Sequence, residues 1–407
     1  MLNEINKCEI CGNNNLEPVL DLGLHPMCDD LVSVGDSRVC KEYPIEILYC
    51  EVCRTGHQKY QVPKEELFPE SYHYRSRFTA DVLSGMSSLV DSCENNFGSL
   101  ENKLILDIGC NDGSLLDFFK NKMALTLGIE PTDATKDAQD KGHRVYQEYL
   151  SKDLATKIVQ DHGHPDIITF TNVFAHIEDL NGVLESLTIL SNSSTKIVIE
   201  NHYLGAVLDG NQFDTFYHEH PRTYSYTSFK FMAKTLGFDL ESVEFPSRYG
   251  GNIRVFIGKG SNISNDLSLE SLEIKEDLFK KQFIGLNKNI KKWLVSKDKI
   301  IKDIFSVNGK LRAKAFPGRS AILVKMLNID EKVISAVYEK PGSLKIDHYV
   351  PGTRIPIMSD TDLLSEDDLN QPILNLAWHI SKEIKSYLKG SSYEGEIIDI
   401  LDDKDFI

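Results

Sequence analysis

The chain has 407 residues, 26% of them charged and 41% hydrophobic, and its formal net charge is −16. This length allows two or three domains with their own cores, and the composition excludes disorder as the main state. The negative charge disfavours broad binding to nucleic acid or to anionic membranes, because phosphate groups attract basic surfaces. No apolar run approaches the ~18 residues of a membrane span and the N-terminus lacks an apolar signal core, so we expect a cytoplasmic protein.

The first 53 residues contain six of the eight cysteines. Four of them form two CxxC pairs, Cys8-Glu-Ile-Cys11 and Cys50-Glu-Val-Cys53. In an intracellular chain this pattern favours four thiolates around one zinc ion over disulfides or reactive thiol pairs. A four-sulfur site has no open position, so the zinc would stabilise a fold without catalysing a reaction. We therefore predict a zinc-binding domain over residues 1–68.

Alternating helical and apolar segments follow, and we assign residues 69–265 to a second domain. An amphipathic helix is expected over about 79–98. An apolar strand is expected to begin near Lys103, and further strands are expected over about 124–130, 166–170 and 196–200. This alternation is typical of an α/β fold with a parallel, doubly wound sheet.

A glycine-bearing turn, Asp107-Ile-Gly-Cys-Asn-Asp-Gly113, joins the first of these strands to a helix beginning at Ser114. Glycines let the backbone approach a ligand, and a helix N-terminus offers N–H groups to it. A dinucleotide-binding GxGxxG would need glycines where Asn111 and Ser114 stand. The turn instead resembles motif I of Rossmann-fold methyltransferases, which implies S-adenosylmethionine as cofactor. The expected cofactor residues are Asp107, Gly109, Asn111, Gly113, Glu130 for the ribose, and Asn172 for the methionine end.

Two segments are rich in side chains that can move protons. One contains His176, just past the end of a strand, where open α/β sheets bind ligands. The other ends in Tyr217-His-Glu-His220. If this segment were a strand, His218 and His220 would share a face, so a divalent metal held together with His202 is an alternative.

The pattern changes after residue 265. A long, charge-rich amphipathic helix or helix pair is expected over 266–305. It leads to a third unit with apolar segments at 321–324, 333–338 and 355–357, and we assign residues 266–407 to a helical connector and a C-terminal α/β domain. The acidic residues from Glu394 onward are expected to form a solvated tail.

Seven motifs stand in an order that closely resembles the deoxysugar C-methyltransferases, enzymes that use S-adenosylmethionine to build branched sugars. The resemblance spans residues 8 to 385 or so. The motifs are the CxxC pairs, Tyr72-His-Tyr74-Arg-Ser76, the Asp107–Gly113 turn, Asn172-Val-Phe-Ala-His176, Tyr217-His-Glu-His220, Gly250-Gly-Asn-Ile-Arg254 and Tyr349-Val-Pro-Gly-Thr-Arg-Ile-Pro-Ile357. This chain departs from the family pattern at Tyr249, where the family has a histidine.

The resemblance implies C-methylation next to the ketone, at C-3, of a nucleotide-linked 4-keto-6-deoxysugar. Carbon accepts a sulfonium methyl group only after losing its proton, and the adjacent ketone spreads the resulting charge as an enediolate. The family motif implies that His220 is the base, with Glu219 orienting it or stabilising its charged form. Tyr217, His176 and Tyr74 would bind the sugar oxygens or the developing oxyanion.

The substrate that the resemblance implies is an anionic nucleotide diphosphate sugar, so a local basic pocket is expected in spite of the net charge. The expected substrate-binding residues are Tyr72, Asn201, Arg254, Lys345 and Arg354. We expect a monomer or small homo-oligomer. Two alternatives stay open: an O- or N-methyltransferase acting on a sugar or natural-product scaffold, and a non-catalytic protein that binds S-adenosylmethionine.

Overall fold

The computed structural model of the chain describes residues 2–67, 75–78, 80–260, 267–365 and 369–406. The N-terminal module is built on an antiparallel sheet. Its elements are β1 (Asn3–Glu4), β2 (Glu17–Pro26), β3 (Val32–Ser33), β4 (Glu42–Cys50), β5 (Thr55–Gln58), β6 (Tyr60–Gln61) and α1 (Lys64–Leu67). In β4 the buried side chains of Tyr43, Ile45 and Ile47 alternate with the partly buried residues 42, 44 and 46, as a half-buried strand requires.

The middle domain is a seven-stranded sheet covered by helices. Its elements are α2 (Ala80–Phe97), β7 (Leu104–Ile108), α3 (Ser114–Asn121), β8 (Leu125–Ile129), α4 (Thr135–Asp140), β9 (Arg144–Tyr146), α5 (Lys152–His162), β10 (Ile167–Thr171), α6 (Leu180–Leu190), β11 (Lys196–His202), α7 (Leu204–Asp209), β12 (Arg222–Thr223), α8 (Tyr226–Thr235), β13 (Asp239–Glu244) and β14 (Asn252–Gly258). The strand order is β13-β14-β11-β10-β7-β8-β9.

The predicted parallel, doubly wound sheet is confirmed for the five strands from β9 to β11. The prediction does not hold for β14, which runs antiparallel to both of its neighbours. The link between β13 and β14 spans only residues 245–251, which is too short for the crossover that a parallel pair needs.

The C-terminal part begins with two helices, one of the two arrangements expected for this segment. Its elements are α9 (Leu267–Glu276), α10 (Phe279–Asn308), β15 (Leu311–Lys314), α11 (Ser320–Met326), β16 (Ile334–Glu339), β17 (His348–Tyr349), β18 (Ile357–Ser359), α12 (Asp360–Leu364), β19 (Ile373–Asn375), α13 (Ser381–Gly390) and β20 (Ile397–Asp399). A second parallel sheet has the order β18-β16-β15-β19-β20.

The expected solvated tail is wrong. Residues after Glu394 form the edge strand β20, and Ile400 and Leu401 are buried. The apolar residues that stand between the acids complete the hydrophobic cover of the sheet, so burial outweighs the local charge.

The three units share one continuous hydrophobic core, which includes Ile45, Phe170 and Leu323. The predicted domain boundaries at 68/69 and 265/266 adjoin or fall within stretches outside the described residues, and they remain predictions. None of the helices in the described ranges is both long and apolar enough to cross a membrane.

Candidate active site and metal centre

The four cysteines of the CxxC pairs converge at one point of the N-terminal module. Each offers a sulfur within 4.8 Å of the others, and Cys8 Sγ lies 3.3 Å from Cys53 Sγ while Cys11 Sγ lies 3.6 Å from Cys50 Sγ. Tetrahedral zinc, with Zn–S bonds of about 2.3 Å, sets its sulfurs about 3.8 Å apart. These distances fit one zinc ion, as predicted from the spacing.

Polar groups around the cysteine cluster stabilise the deprotonated, thiolate form of the sulfurs. Asn13 donates from Nδ2 to Cys50 Sγ (3.5 Å), and His57 Nε2 lies 3.3 Å from Cys8 Sγ. Donors of this kind spread the negative charge of the sulfurs and fix their orientation. Because all four ligand positions are thiols, the site holds the fold together and leaves no position for a substrate.

The glycine-bearing turn lies between β7 and α3, as predicted, and α3 begins at Ser114. Gly109 and Gly113 have φ values of +75° and +74°, which favour glycine. A Cβ at Gly109 would come within 2.6 Å of the Val173 side chain. The turn therefore needs glycine for both its backbone conformation and its packing.

Two acidic residues of the predicted cofactor set have different surroundings. Glu130 accepts from the backbone N–H of Asn111 (3.0 Å) and from the Thr132 hydroxyl (2.7 Å), so it stabilises the turn. Asp107 is buried, accepts from the Thr169 hydroxyl (2.7 Å) and ties β7 to β10. Burial raises the pKa of Asp107 to about 7.

Residues that precede α2 cover the same turn, a contact that the sequence did not predict. The backbone N–H of Ser76 donates to Asn111 Oδ1 (3.0 Å), and that of Arg77 donates to Asp112 Oδ2 (2.9 Å). The motif that contains Tyr72 and Tyr74 therefore leads directly onto the cofactor turn. Those two tyrosines lie outside the described residues, and their predicted roles are untested.

His220 lies in a cluster of aromatic rings. Its ring centroid is 4.1 Å from Tyr217, 4.8 Å from His176 and 5.3 Å from His202. His220 Nδ1 donates to the carbonyl of Thr215 (3.1 Å); a carbonyl can only accept, so Nε2 carries the lone pair. Burial and the two neighbouring histidines hold the pKa of His220 well below its usual range, and the ring is a neutral base at neutral pH.

Glu219 differs from its predicted role in one respect. The carbonyl of Thr215, not the Glu219 carboxylate, orients His220, and the Glu219 backbone carbonyl accepts from His176 Nδ1 (2.6 Å). Burial, helped by the charge of Asp29, raises the pKa of Glu219 to about 8. Its Oε2 atom is buried and has no hydrogen-bond partner among the described residues. The carboxyl group is therefore protonated at neutral pH.

The metal alternative at the histidines is wrong. His218 Nε2 donates to the carbonyl of Tyr43 (3.1 Å), so its ring turns toward the zinc module and away from His220. Within the described ranges, the cysteine cluster is the one group of three or more ligating side chains close enough to hold a metal ion.

Residues from the C-terminal domain join this site, and sequence reasoning did not connect them to it. Arg319 donates to both carboxylate oxygens of Asp214 (2.8 and 2.6 Å), and Trp378 Nε1 donates to the same carboxylate (2.9 Å). His379 follows, and burial together with the charge of Arg319 lowers its pKa to about 4. No local sequence pattern indicates contacts between positions more than 100 residues apart.

The predicted substrate residues fall into two groups. Asn201 is buried, and neither atom of its amide has a hydrogen-bond partner in the described part of the chain. Three cations already contact protein groups. Arg254 pairs with Glu200 (2.7 Å) and Glu244 (2.8 Å), Lys345 donates to the Phe316 carbonyl (2.8 Å), and Arg354 donates to the carbonyls of residues 36–38.

Asn172, predicted at the methionine end of the cofactor, follows β10 with φ +55°. Its backbone N–H donates to the Glu200 carbonyl (2.8 Å), and its Oδ1 accepts from Asn252 Nδ2 (3.3 Å). These contacts hold Asn172 at the carboxyl edge of the sheet, beside the strand end that leads to Asn201. Its role at the cofactor stays a prediction.

Three family models match the chain in succession: a zinc binding domain over residues 8–68, a methyltransferase domain over 75–243 and a C-methyltransferase C-terminal domain over 247–398. The C-methyltransferase NovU of Streptomyces niveus is 23% identical over 390 residues, covering 93% of this chain and 91% of NovU.

Two of the similar solved structures are as follows. One is magnesium protoporphyrin IX methyltransferase from Synechocystis PCC 6803 with bound SAM (15% identical, 44% of this chain and 80% of that chain, TM-score 0.33). The other is the PH0226 protein of Pyrococcus horikoshii OT3 (14% identical, 48% and 97%, TM-score 0.36).

The sheet, the glycine-bearing turn and the methyltransferase family model define an S-adenosylmethionine-dependent methyltransferase with a Rossmann-like core. With the two flanking models and NovU, the assignment becomes narrower. The chain combines a zinc-binding domain, a methyltransferase domain and the C-terminal domain of C-methyltransferases, and it is an S-adenosylmethionine-dependent C-methyltransferase. Its cofactors are S-adenosylmethionine and a structural zinc ion.

Proposed function

We propose that the protein methylates the carbon next to the ketone, at C-3, of a nucleotide-linked 4-keto-6-deoxysugar. The order of the seven motifs supports a sugar substrate. The observation that carries the proposal is His220, a neutral imidazole whose Nε2 lone pair lies in a buried site next to the cofactor sheet. Methylation at carbon requires such a base, because the carbon must first lose its proton to form the enediolate. Methylation of a sugar hydroxyl or amine does not pass through an enediolate.

His220 Nε2 removes the proton from the sugar carbon. The ring then becomes an imidazolium, and its Nδ1–H remains bound to the Thr215 carbonyl, which stabilises the new charge. A well-placed general base contributes about 10² to 10⁴ in rate. Burial disfavours the imidazolium. The negative charge that develops on the sugar at the same moment offsets this cost, because it attracts the positive ring.

That negative charge needs donors at the ketone oxygen. Glu219 carries a proton at neutral pH, since its pKa is raised to about 8, and its Oε2 atom has no partner among the described residues. A neutral carboxylic acid in a buried site can donate a hydrogen bond to an oxyanion. We assign Glu219 this role, with the Tyr217 hydroxyl and His176 as further contacts of the sugar oxygens.

The cofactor would be held by the turn from Gly109 to Gly113 and by Glu130, and when bound it supplies an electrophilic methyl group. Asn201 follows the charged residue Glu200 on β11, close to where the strand ends. The Oδ1 and Nδ2 atoms of its side-chain amide are buried and have no hydrogen-bond partner among the described residues, which is costly unless a ligand satisfies them. A sugar hydroxyl can both donate to and accept from such an amide.

The diphosphate is proposed to meet the loop that follows β15. Ligands of open parallel sheets bind where the strand order reverses, which in the second sheet is between β15 and β19. Lys345 lies against this loop through the Phe316 carbonyl. Two other cations of the region are neutralised inside the protein, since Lys314 pairs with Asp360 and Arg319 pairs with Asp214.

The test is a panel of dTDP-, UDP- and GDP-linked 4-keto-6-deoxysugars incubated with the enzyme and S-adenosylmethionine carrying a ¹³C methyl group. We expect mass spectrometry to show the gain of one methyl group, and NMR to place the label on C-3. A label on oxygen or nitrogen would favour the O- or N-methyltransferase alternative. Binding of S-adenosylmethionine without turnover of any of these sugars would contradict the proposal.

A further inference from the structure

The zinc module contributes a strand partner to the segment that carries His220. The strand β12 begins two residues after His220 and adds to the zinc module's sheet, in the order β12-β5-β4-β2. Arg222 pairs with His57 and Thr223 with Gly56. The backbone N–H of Gln58 also donates to the Pro221 carbonyl (2.8 Å). Residues 217–223, which we call the base segment because they include His220, therefore extend into the zinc module's sheet through β12, although they belong in sequence to the middle domain.

An ion pair links the first CxxC pair, Cys8 to Cys11, which we call the zinc knuckle, to β12. Glu9 stands between the ligands Cys8 and Cys11, and its Oε1 lies 2.7 Å from Arg222 Nη1. The Arg222 side chain is completely buried. A buried guanidinium without a counter-charge is strongly destabilising, so Glu9 is the group that allows Arg222 to occupy this place.

Arg222 also contacts the second histidine-bearing segment. Its Nη2 donates to the Glu178 carbonyl (3.3 Å), two residues after His176, and its Nε donates to the Tyr224 hydroxyl (3.1 Å). One side chain thus joins the zinc knuckle, the segment after His220 and the loop after β10.

The other end of the base segment is held by the same module. Gln58 Nε2 donates to the Tyr217 carbonyl (3.3 Å), and His218 donates to the Tyr43 carbonyl (3.1 Å). Gln58 lies in β5 and Tyr43 lies in β4, and both strands belong to the zinc module's sheet. The four residues from Tyr217 to His220 are therefore held on both sides by β4 and β5, the two strands that flank the zinc ligands Cys50 and Cys53.

We infer that Glu9 and Arg222 are positioning residues, through which the zinc knuckle sets the place of the His220 base. The inference rests on the proposed role of His220. Misplacing a reacting group by about 1 Å can cost about 10²-fold in rate. The zinc site, which has no open position for chemistry, would thereby act on the reaction through geometry alone.

The first test replaces Glu9 by glutamine, which keeps the size of the side chain and removes its charge. The matched control is Glu46→Gln, because Glu46 pairs with Lys59 (3.0 Å) inside the same module. We expect Glu9→Gln to lower kcat about 10- to 100-fold. The affinity for S-adenosylmethionine, measured by calorimetry, and the zinc content, measured by atomic emission, should stay within about twofold. Glu46→Gln should match the wild type in all three measurements.

A double variant separates positioning from general damage. If Glu9 acts only through the base, adding Glu9→Gln to His220→Asn costs no further activity. Amide hydrogen exchange supplies a readout that needs no substrate. We expect exchange at residues 217–224 to become at least about tenfold faster in Glu9→Gln, with residues 104–121 unchanged.

Gln58→Met serves as a second variant if Glu9→Gln does not fold, since it deletes the bond to the Tyr217 carbonyl without exposing a buried charge. It should lower kcat by a smaller factor, about 3- to 10-fold, with the same local change in exchange. Unchanged kcat and unchanged exchange at 217–224 would overturn the inference, as would equal additive losses in the two backgrounds.

The two proposals fail in different ways. If the wild type methylates no nucleotide sugar, the proposed function is wrong, and hydrogen exchange still decides whether Glu9 positions the base segment. If the wild type is active, His220→Asn is inactive and Glu9→Gln is as fast as the wild type, only the positioning role is wrong.

Discussion

The chain contains two sheets with parallel strands at their centres, five of the seven strands in the first and all five in the second, and the carboxyl edges of these parallel strands differ. In both, the first strand is central and leads through a tight loop into a helix: β7 into the glycine-bearing turn and α3, β15 into residues 315–319 and α11. At the edge of the cofactor sheet, buried polar atoms of Thr171 and Asn201 have no partners among the described residues. At the edge of the second sheet, Lys314 pairs with Asp360 (2.7 Å) and Asn375 with Asp399 (2.7 Å).

This difference shows which edge is built for a ligand. Unpaired buried polar groups are costly, so they persist where a ligand satisfies them. Strand ends that satisfy each other make a rigid support instead. Loops of the second sheet reach the candidate site, as Arg319 does by pairing with Asp214, and under the proposed function the reaction takes place at the edge of the first sheet.

The largest expected effect concerns the first edge. His220→Asn should lower turnover about 10²- to 10⁴-fold, because the general base is lost. Affinity for S-adenosylmethionine, measured by calorimetry, should change less than about twofold. The control is His348→Asn in β17, where the histidine donates to the nearby Ile346 carbonyl. Equal turnover in the wild type and in His220→Asn would show that the reactive edge has another base.

The second edge should respond in stability instead of rate. Lys314→Met leaves the buried Asp360 carboxylate without its cation, which should lower the free energy of unfolding by roughly 3–5 kcal/mol. Chemical denaturation measures the loss. Lys302→Met is the control, since its surface pair with Asp298 is worth about 0.5 kcal/mol at most. Lost turnover at unchanged stability would make the second edge a reactive site and remove the contrast.

A smaller effect is the pH dependence that Glu219 imposes. Its pKa is raised from 4.5 to about 8, so the folded protein holds a proton that the unfolded chain releases. The resulting stabilisation is fully present below pH 4.5 and is lost as the pH rises through 8. Glu219→Gln should remove this loss, on the order of a few kcal/mol between pH 5 and pH 9. Identical denaturation profiles of wild type and variant would show that Glu219 is ionised in the fold.

The smallest expected effect is at Arg354. Its guanidinium donates to three backbone carbonyls of residues 36–38, and these contacts tie the second sheet's region to the zinc module. Arg354→Ala should lower stability by about 1–2 kcal/mol and change KM for the sugar less than about threefold. A tenfold rise in KM at unchanged stability would instead support the substrate contact that the motif suggested.

Local patterns predicted the parts of the molecule that depend on local chemistry. The cysteine cluster of the CxxC pairs, the glycine-bearing turn and the start of α3 at Ser114 are all consequences of short segments. The antiparallel strand β14 was missed because it follows from the length of a link rather than from its own composition. The packing of the residues after Glu394 was not predicted, because the many acidic residues there indicated a solvated segment although the apolar residues between them cover the second sheet.

Long-range pairing explains the remaining differences. Nothing in the sequence around Asp214 indicates that Arg319 and Trp378 share its carboxylate, since those contacts form only when two domains dock. The same holds for Arg222, whose partner Glu9 stands more than 200 positions earlier. The site could be predicted as a set of motifs, while the groups that hold those motifs in place required the fold.

The central claim is that a carbon acid is deprotonated before methyl transfer. The direct measurement is deuterium incorporation at C-3 of a nucleotide-linked 4-keto-6-deoxysugar in deuterated water, with S-adenosylhomocysteine in place of the methyl donor. We expect incorporation by the wild-type enzyme and none above background by His220→Asn. Methylated sugar that keeps its original C-3 hydrogen would contradict it.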